Sequence, residues 1–223
     1  KFLKKTKFHK AEKITEITGL INNKSFKYVI NCSGIIKQKK ESKKKIYSIN
    51  KIYPQRIANL AEKLKFKFIH FSTDCVFNGK RGNYLEKSTP NSKDIYGRSK
   101  AAGEPLNNKQ SLIFRTSFIG HEIKGNYSLL NWLLSSKKKV NGYSKCYFNG
   151  LTNIEISKFI NQIIKKNLFQ YGLFHLGGRT ISKYKLLKKI NKIYKLKKII
   201  YPASKPKINR TLNNNKLKKK FKF

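Results

Sequence analysis

The chain of 223 residues is 39% hydrophobic and 13% aromatic, which is enough apolar material to fill a globular core and argues against a disordered protein. Its formal net charge is +42, yet lysine is spread over nearly every segment and only six of the 52 basic residues are arginine, the side chain that best reads base edges. The composition therefore gives little support to specific nucleic-acid recognition, although a salt-sensitive, non-specific affinity follows from the charge.

The cysteines, histidines and apolar runs indicate the cellular setting. The three cysteines form no C-x-x-C pair, which favours a reducing cytoplasm, and the four histidines lack metal-ligand spacing, so we predict no metal. No run approaches the ~18 apolar residues of a membrane span, and the first residues lack the pattern of a signal peptide. The sequence predicts a soluble, cytoplasmic protein that does not use the membrane as a partner.

Two strands and a helix open the predicted fold. Residues 26–32 have the apolar pattern of a buried strand, which ends in a small-residue turn at 33–34. A helix is predicted over residues 46–64, where apolar side chains recur at steps of three and four, with Pro54 as a kink or a restart. A second strand is predicted over residues 66–71.

A long polar loop and a second helix and strand follow. Residues 72–91 form the loop, and loops of this length are usually functional. A helix is predicted over residues 92–107 and a strand over 111–114, before the chain turns at Gly120. Because strands alternate with helices, we predict an α/β fold with a doubly wound parallel sheet, whose ligand crevice lies at the carboxyl ends of the strands.

The pattern becomes richer in helices beyond residue 120, which indicates a second, smaller lobe. A helix over 152–164 should begin with a capping box formed by Thr152 and Glu155, and Ser182 should cap a later helix. A further helix is predicted over residues 127–135, and short strands over 172–176 and 198–201. The predicted domains are residues 1–120 and 121–223.

A tyrosine and a lysine one helical turn apart indicate the chemistry. Tyr-x-x-x-Lys occurs five times in this tyrosine-rich and lysine-rich chain, so the pattern alone means little. Tyr96 and Lys100 differ from the other four pairs because they follow a hydroxyl pair, Ser72 and Thr73, by one long loop. All these side chains can therefore converge over one crevice.

This set of side chains suits the reduction of a carbonyl group. A hydride that arrives at a carbonyl carbon leaves an oxyanion, which needs a proton donor at neutral pH. A tyrosine with a pKa of ~10 is a poor donor, but a cation ~4 Å away at an effective dielectric of ~20 supplies ~4 kcal/mol and lowers that pKa by ~3 units. Lys100 is spaced to act in this way on Tyr96, and Thr73 could hold the carbonyl oxygen by a hydrogen bond.

Four stretches together resemble the extended short-chain dehydrogenase/reductase family, and most closely its dTDP-4-dehydrorhamnose reductase-like branch. They are NCSGIIKQ (31–38), FSTDCVFNG (71–79), YGRSKAAGE (96–104) and RTSFIG (115–120). Weaker similarity extends through residues 149–152 and 210–213. The resemblance implies a Rossmann-like fold, NADPH or NADH as the cofactor, and a nucleotide-sugar substrate whose 4-keto group is reduced in rhamnose or surface-polysaccharide biosynthesis.

The resemblance also assigns roles to individual residues. It implies a cofactor domain in residues 1–120 and a substrate lobe in 121–223, and it leaves a homodimer open. The implied catalytic residues are Thr73, Tyr96 and Lys100. Thr73 and Ser117 are the implied substrate-binding residues. The implied cofactor-binding residues are Cys32, Ser33, Gly34, Asn50, Tyr96 and Lys100.

One element that the family has is not found in the sequence. The family opens with a strand and a G-x-x-G-x-x-G turn whose backbone N–H groups hold the cofactor pyrophosphate, and no such turn occurs here. We therefore expect an N-terminally truncated chain that has lost its first β-α unit. We also expect the 223 residues alone not to turn over, and the sequence does not distinguish NADPH from NADH.

Two other interpretations share the same fold. A related sugar-nucleotide epimerase or dehydratase usually needs further acid or base residues beside Thr73 and Asp74, and residues 75–76 offer none. A non-catalytic binding or regulatory module would need no chemistry, and the intact set of Thr73, Tyr96 and Lys100 argues against it. The coding sequence upstream of Lys1 would separate these interpretations, since a glycine-rich strand, turn and helix there supports the enzyme.

We expect any binding to DNA to be insensitive to sequence and to collapse between low and physiological salt, because dispersed lysines release counterions without reading bases. Titration of two unrelated duplexes at two salt concentrations measures both effects. A preference between the duplexes that persists at high salt would contradict this expectation and favour a nucleic-acid function.

Overall fold

The structure is a computed structural model that describes residues 14–22, 26–123 and 125–222. These residues form two compact units. The first contains the described parts of residues 1–73 together with 94–115 and 156–174, and the second contains 74–93, 116–155 and the described part of 175–223. The chain passes back and forth between the units, so they are not successive halves of the sequence. The functional division at residue 120 remains a prediction.

The helices of the described residues are α1 (Ile14–Asn22), α2 (Lys43–Tyr47), α3 (Tyr53–Leu64), α4 (Ile95–Ala102), α5 (Leu129–Ser135), α6 (Asn153–Lys165), α7 (Lys183–Ile193) and α8 (Asn215–Phe221). The strands are β1 (Tyr28–Asn31), β2 (Lys67–Thr73), β3 (Ser111–Thr116), β4 (Phe118–Ile119), β5 (Lys139–Tyr143), β6 (Cys146–Phe148), β7 (Leu151–Thr152), β8 (Gly172–His175), β9 (Ile181–Ser182), β10 (Ile199–Ala203) and β11 (Ile208–Asn209). None of these helices has the length and apolar character needed to cross a membrane.

A four-stranded sheet in the order β1-β2-β3-β8 organises the first unit. β1 and β2 run parallel, with Asn31 opposite His70 at the end of β1. β2 and β3 are buried along nearly their whole length, as strands covered on both faces of a sheet are. The predicted α/β fold with parallel strands is confirmed.

The helix predicted over residues 46–64 is in fact three segments. α2 is followed by a π-helical turn, Ser48–Ile52, and then by α3, which has Pro54 in its first turn. Proline is tolerated there because its missing N–H would have had no partner within the helix. Pro54 is therefore a restart, and the π-helical turn presents the fully buried Asn50.

The apolar stripe of α3 packs into the core of the first unit. Its partners come from α1 and from the start of β2, and the cluster consists of Ile21, Tyr53, Ile57, Ala58, Ala61, Phe66 and Phe68. Each large side chain buried in such a cluster contributes roughly 1.5–3 kcal/mol. This core fixes α3, and with it the π-helical turn, against the sheet.

The second unit contains small sheets, of which the sequence predicted one strand, over residues 198–201, observed as β10. β5 pairs in parallel with β10, β4 pairs in parallel with β7, and β6 lies between β9 and β11. The strands of the other two sheets have only two or three residues, which is too short to display a period-2 pattern. The two stretches with weak similarity meet in this unit, because Asn149 exchanges hydrogen bonds of 2.9 and 2.8 Å with the backbone of Leu212.

The two predicted helix starts are confirmed. Thr152 and Glu155 bond reciprocally, with the Glu155 N–H donating to Thr152 Oγ1 at 3.2 Å and the Thr152 N–H donating to the Glu155 carboxylate at 3.1 Å. Ser182 Oγ accepts the Lys185 N–H at 3.2 Å. Both arrangements satisfy N–H groups that the helix itself leaves without partners.

The helix predicted over residues 92–107 is shorter in the structure, and the prediction is wrong before residue 95 and beyond residue 102. α4 ends at Ala102, and Gly103 follows as its C-cap. A methyl group at position 103 would collide with the carbonyl oxygen of Asn50, so this close approach requires glycine. Gly103 thereby lets the π-helical turn pack directly against the end of α4.

We expect Gly103→Ala to destabilise the protein by about 2 kcal/mol, because the added methyl overpacks a backbone contact that cannot yield easily. Gly19→Ala is the matched control, since a methyl at that helical position meets nothing within 4 Å and should instead stabilise α1 by about 0.5–1 kcal/mol. Urea unfolding of both variants measures the changes. Equal effects of the same sign would contradict the packing argument.

Candidate active site

A turn of small residues directly follows β1. Asn31 ends the strand and is buried, whereas Cys32, Ser33 and Gly34 are exposed. Asn31 Oδ1 accepts two hydrogen bonds from Ser33, from its N–H at 2.9 Å and from its hydroxyl at 2.6 Å. The turn is therefore fixed from its buried end while its outer atoms face solvent.

Gly34 brings this turn next to Lys100. A Cβ at position 34 would lie 3.5 Å from Asn50 Oδ1 and 3.8 Å from Lys100 Nζ. Any larger side chain would therefore extend into the space beside the ammonium. The structure thus brings Gly34, Asn50 and Lys100 together, and their role toward a cofactor stays a prediction.

Asn50 connects the turn to α4. Its Oδ1 accepts the Ile35 N–H at 2.8 Å, and its Nδ2 donates to the Ile35 carbonyl at 2.9 Å and to Ser99 Oγ at 3.1 Å. Ser99 Oγ in turn donates to the carbonyl of Tyr96 at 2.9 Å. One buried amide therefore holds both the segment after Gly34 and the helix that carries Tyr96.

The side chain of Lys100 is buried, with the residue only 4% exposed. Its Nζ donates to the carbonyl of Phe71 at 2.7 Å. Burial lowers the pKa of Lys100 to about 8, although Glu104 and Cys32 act in the opposite direction. The ammonium is therefore mostly charged at neutral pH and can lose its proton under mildly alkaline conditions.

Tyr96 and Thr73 lie on the two elements that Lys100 connects. Tyr96 is half-buried in the first turn of α4, where Asp94 Oδ1 caps the helix by accepting the Gly97 N–H at 2.8 Å. Thr73 is buried at the end of β2, two residues beyond the carbonyl that Lys100 bonds. The lysine therefore anchors α4 to β2 next to Thr73.

Two further predicted site residues, Cys32 and Ser117, lie in different surroundings. Desolvation of the Cys32 thiol raises its pKa, and the Lys100 ammonium acts in the opposite direction, so the thiol lies within the electrostatic reach of the lysine. Ser117 belongs to the second unit, where it is half-buried and its carbonyl accepts the Leu151 N–H at 3.0 Å. Its assignment to the substrate stays a prediction.

A buried ion pair supports the site, and the sequence did not predict it. The Glu104 carboxylate accepts hydrogen bonds from Arg115 Nε at 2.8 Å and from Arg115 Nη2 at 2.7 Å, and both side chains are almost fully buried. Ser72 Oγ donates to the same carboxylate at 2.6 Å. Both residues lie in the stretches that carry the resemblance, but only the fold pairs them. The pair ties the segment that follows α4 to β2 and β3 beside Thr73.

No group of three or more histidine, cysteine, aspartate or glutamate side chains in the described part of the chain could hold a metal ion. The arrangement instead offers a half-buried phenol, a buried ammonium and a buried hydroxyl within one unit, beside an exposed small-residue turn. Such groups can bind an anionic ligand, orient a carbonyl and donate a proton.

Comparison with known proteins gives a family match over nearly the whole chain. The family described as the RmlD substrate binding domain matches residues 4–221. A dTDP-4-dehydrorhamnose reductase of Aggregatibacter actinomycetemcomitans is 31% identical over 141 residues, which is 59% of this chain and 48% of that protein. The chain therefore spans about half the length of this curated relative.

Solved structures agree on the fold. The chain resembles the dTDP-4-dehydrorhamnose reductase of Bacillus anthracis in complex with NADP, with a TM-score of 0.81 and 23% identity over 93% of this chain and 78% of that chain. It also resembles the Bordetella bronchiseptica enzyme WbmG in complex with NAD, with a TM-score of 0.76 and 14% identity over 95% and 71%. At these identities the likeness establishes the fold alone.

We expect Lys100→Met to stabilise the protein at pH 7 by about 2 kcal/mol, because it relieves about 3 kcal/mol of charge burial and loses a hydrogen bond of about 1 kcal/mol. The unfolded chain binds the Lys100 proton more tightly than the folded chain between pH 8 and 10.5. The free energy of unfolding of the wild type therefore rises as pH increases through that window, because folding no longer buries the charge of Lys100. The stability difference between Lys100→Met and the wild type shrinks accordingly.

Urea unfolding at pH 7 and pH 10 measures this difference, with Lys188→Met, which removes an exposed lysine, as the control. A Lys100→Met variant that is less stable than the wild type by the same amount at both pH values would show that the buried charge carries no cost.

Proposed function

Because the chain belongs to the RmlD substrate binding domain family, we propose that it acts as an NAD(P)H-dependent reductase of a sugar nucleotide. The observation that carries this proposal is the buried ammonium of Lys100, which lies one helical turn from Tyr96 and next to Gly34. A buried cation is costly, and in an enzyme such a cost is usual where the charge serves chemistry.

The residues around Gly34 fit a dinucleotide cofactor. The turn is exposed, it carries only small side chains at 33–34, and the backbone after it is held by Asn50. Lys100 supplies a cation and a hydrogen-bond donor beside the turn. We assign Cys32, Ser33 and Gly34 to the cofactor, together with Lys100, which would bond its nicotinamide ribose. The resemblance to proteins solved with NADP and with NAD supports either form of the cofactor.

The bound nicotinamide supplies the hydride for the reduction. The chain must then stabilise and protonate the carbonyl oxygen of the sugar. Thr73 holds this oxygen by a hydrogen bond, and the Tyr96 hydroxyl donates the proton to it. The positive charge of Lys100 favours the phenolate that remains after the transfer. Asn50, through Ser99, holds the first turn of α4 and so keeps Tyr96 in place.

The substrate proposed is a nucleotide-linked deoxysugar whose 4-keto group is reduced, as in the biosynthesis of rhamnose or of another surface polysaccharide. The curated relative that is 31% identical carries the name dTDP-4-dehydrorhamnose reductase, which supports this choice. Ser117 is assigned to substrate binding. Residues 75–76, a cysteine and a valine, lack the acid or base that an epimerase or dehydratase usually needs there.

In the full-length protein we expect Tyr96→Phe to lower the reduction of a 4-keto sugar nucleotide at least about 100-fold while NAD(P)H binding stays within a few-fold, because the phenol acts in the transition state. Steady-state rates and cofactor titration measure the two effects. Tyr184→Phe is the matched control, since Tyr184 also precedes a lysine by one helical turn, on α7, with Lys188 Nζ 5.8 Å from its ring centroid.

Near-normal turnover by Tyr96→Phe would refute the assignment of the proton donor. If Tyr184→Phe also lost turnover, the loss in Tyr96→Phe would be a general effect of removing a tyrosine hydroxyl. That result would equally refute Tyr96 as the proton donor.

A further inference from the structure

A buried histidine lies behind the turn that is assigned to the cofactor. His70 is fully buried in β2, directly opposite Asn31 of β1 and three residues before Thr73. His70 Nδ1 and Asn31 Nδ2 are 3.2 Å apart. The ring also stacks on Phe68, with centroids 6.0 Å apart and an interplanar angle of 23°. His70 therefore contacts both a polar amide and the apolar core.

The hydrogen bonds of Asn31 determine which nitrogen of His70 carries the proton. The Ser33 N–H can only donate, so the atom of Asn31 that faces it must be the carbonyl oxygen. The amide nitrogen of Asn31 then faces His70 and donates to Nδ1. Nδ1 must therefore be unprotonated, and the neutral ring carries its proton on Nε2.

We propose that His70 is a positioning residue for the cofactor turn, which it orients through the Asn31 amide and Ser33. The inference rests on the proposed function, because it assumes that residues 32–34 bind NAD(P)H. By accepting from Asn31 Nδ2, His70 keeps the Asn31 oxygen directed at Ser33. The chain of contacts then runs from the core, through two buried side chains, to an exposed turn.

The electrostatic setting keeps His70 in this state. Burial, and to a lesser extent the Lys100 ammonium, hold the pKa of His70 well below its usual range. The ring therefore stays neutral at physiological pH, and Nδ1 remains available as an acceptor. A protonated ring would present a donor to the Asn31 amide and force it to rotate, which would withdraw the oxygen from Ser33.

Two substitutions at His70 separate the effect of its hydrogen-bond acceptor, Nδ1, from the effect of its ring packing. His70→Asn can place an amide oxygen near the position of Nδ1, but it leaves a cavity, whereas His70→Phe keeps the ring and its stack on Phe68 but has no acceptor. If His70 has only a structural role, His70→Phe should be more stable than His70→Asn and should also bind NAD(P)H at least as tightly, because it leaves no cavity. A positioning role predicts opposite rank orders for stability and for cofactor binding.

In the full-length protein we expect His70→Phe to raise KM for NAD(P)H about tenfold, the order expected for one lost hydrogen bond, with kcat within about twofold. We expect His70→Asn to stay within about threefold of wild type in KM although it unfolds at a lower urea concentration than His70→Phe. Cofactor affinity that follows stability across the three proteins would overturn the inference.

A second measurement does not depend on the cofactor. In protein labelled with ¹⁵N-histidine, long-range proton–nitrogen correlations report which ring nitrogen is protonated, and subtraction of the His70→Asn spectrum assigns His70 among the four histidines. We expect the Nε2-protonated form, and we expect the Ser33 amide to exchange at least about tenfold faster in His70→Phe than in wild type, since its acceptor is released. A proton on Nδ1, or unchanged exchange, would refute the contact chain.

The two measurements distinguish the two proposals. Wild-type protein that binds no NAD(P)H refutes the proposed function, and with it the role of His70 toward the cofactor. Wild-type protein that binds and reduces, with no effect of His70→Phe on KM or on Ser33 exchange, refutes the inference alone.

Discussion

The ammonium of Lys100 is buried against the carbonyl of Phe71, and the rest of the site depends on how that charge is accommodated. Burial favours the neutral form, which is why the pKa falls to about 8, while Glu104 and Cys32 pull it upward. The group therefore stays charged at neutral pH at a cost in stability. Its bond to Phe71 also fixes α4 against β2, so one side chain both supplies charge and connects the two elements that carry Tyr96 and Thr73.

One buried amide, Asn50, and one buried ion pair, Glu104–Arg115, support the elements around this charge. Asn50 bonds both backbone groups of Ile35 and reaches Ser99, and the Glu104–Arg115 pair clamps Ser72 beside Thr73. Each of these buried groups makes at least one hydrogen bond, which offsets part of the cost of removing it from water. The same contacts hold the exposed turn after β1 against buried, hydrogen-bonded side chains. A cofactor site requires such support because its binding groups must keep a fixed position.

Much of the fold was predictable from the sequence, because long elements repeat their apolar spacing several times and helix caps have local signatures. The capping box at Thr152 depends only on neighbouring residues, and β2 is a plain apolar run. The π-helical turn, the need for Gly103 and the pairing of His70 with Asn31 arise from contacts between residues that are distant in the chain. The site set of Thr73, Tyr96 and Lys100 was suggested by spacing and resemblance, and its roles remain proposals.

Reduction of a keto sugar by this protein is tested most directly by following the hydride itself. Full-length protein is incubated with a 4-keto sugar nucleotide and NAD(P)H that is dideuterated at the nicotinamide C4, and the product is examined by mass spectrometry. We expect one deuterium on the sugar, in step with oxidation of the cofactor. Folded protein that binds NAD(P)H but transfers no deuterium to any keto-sugar nucleotide would contradict the proposed function.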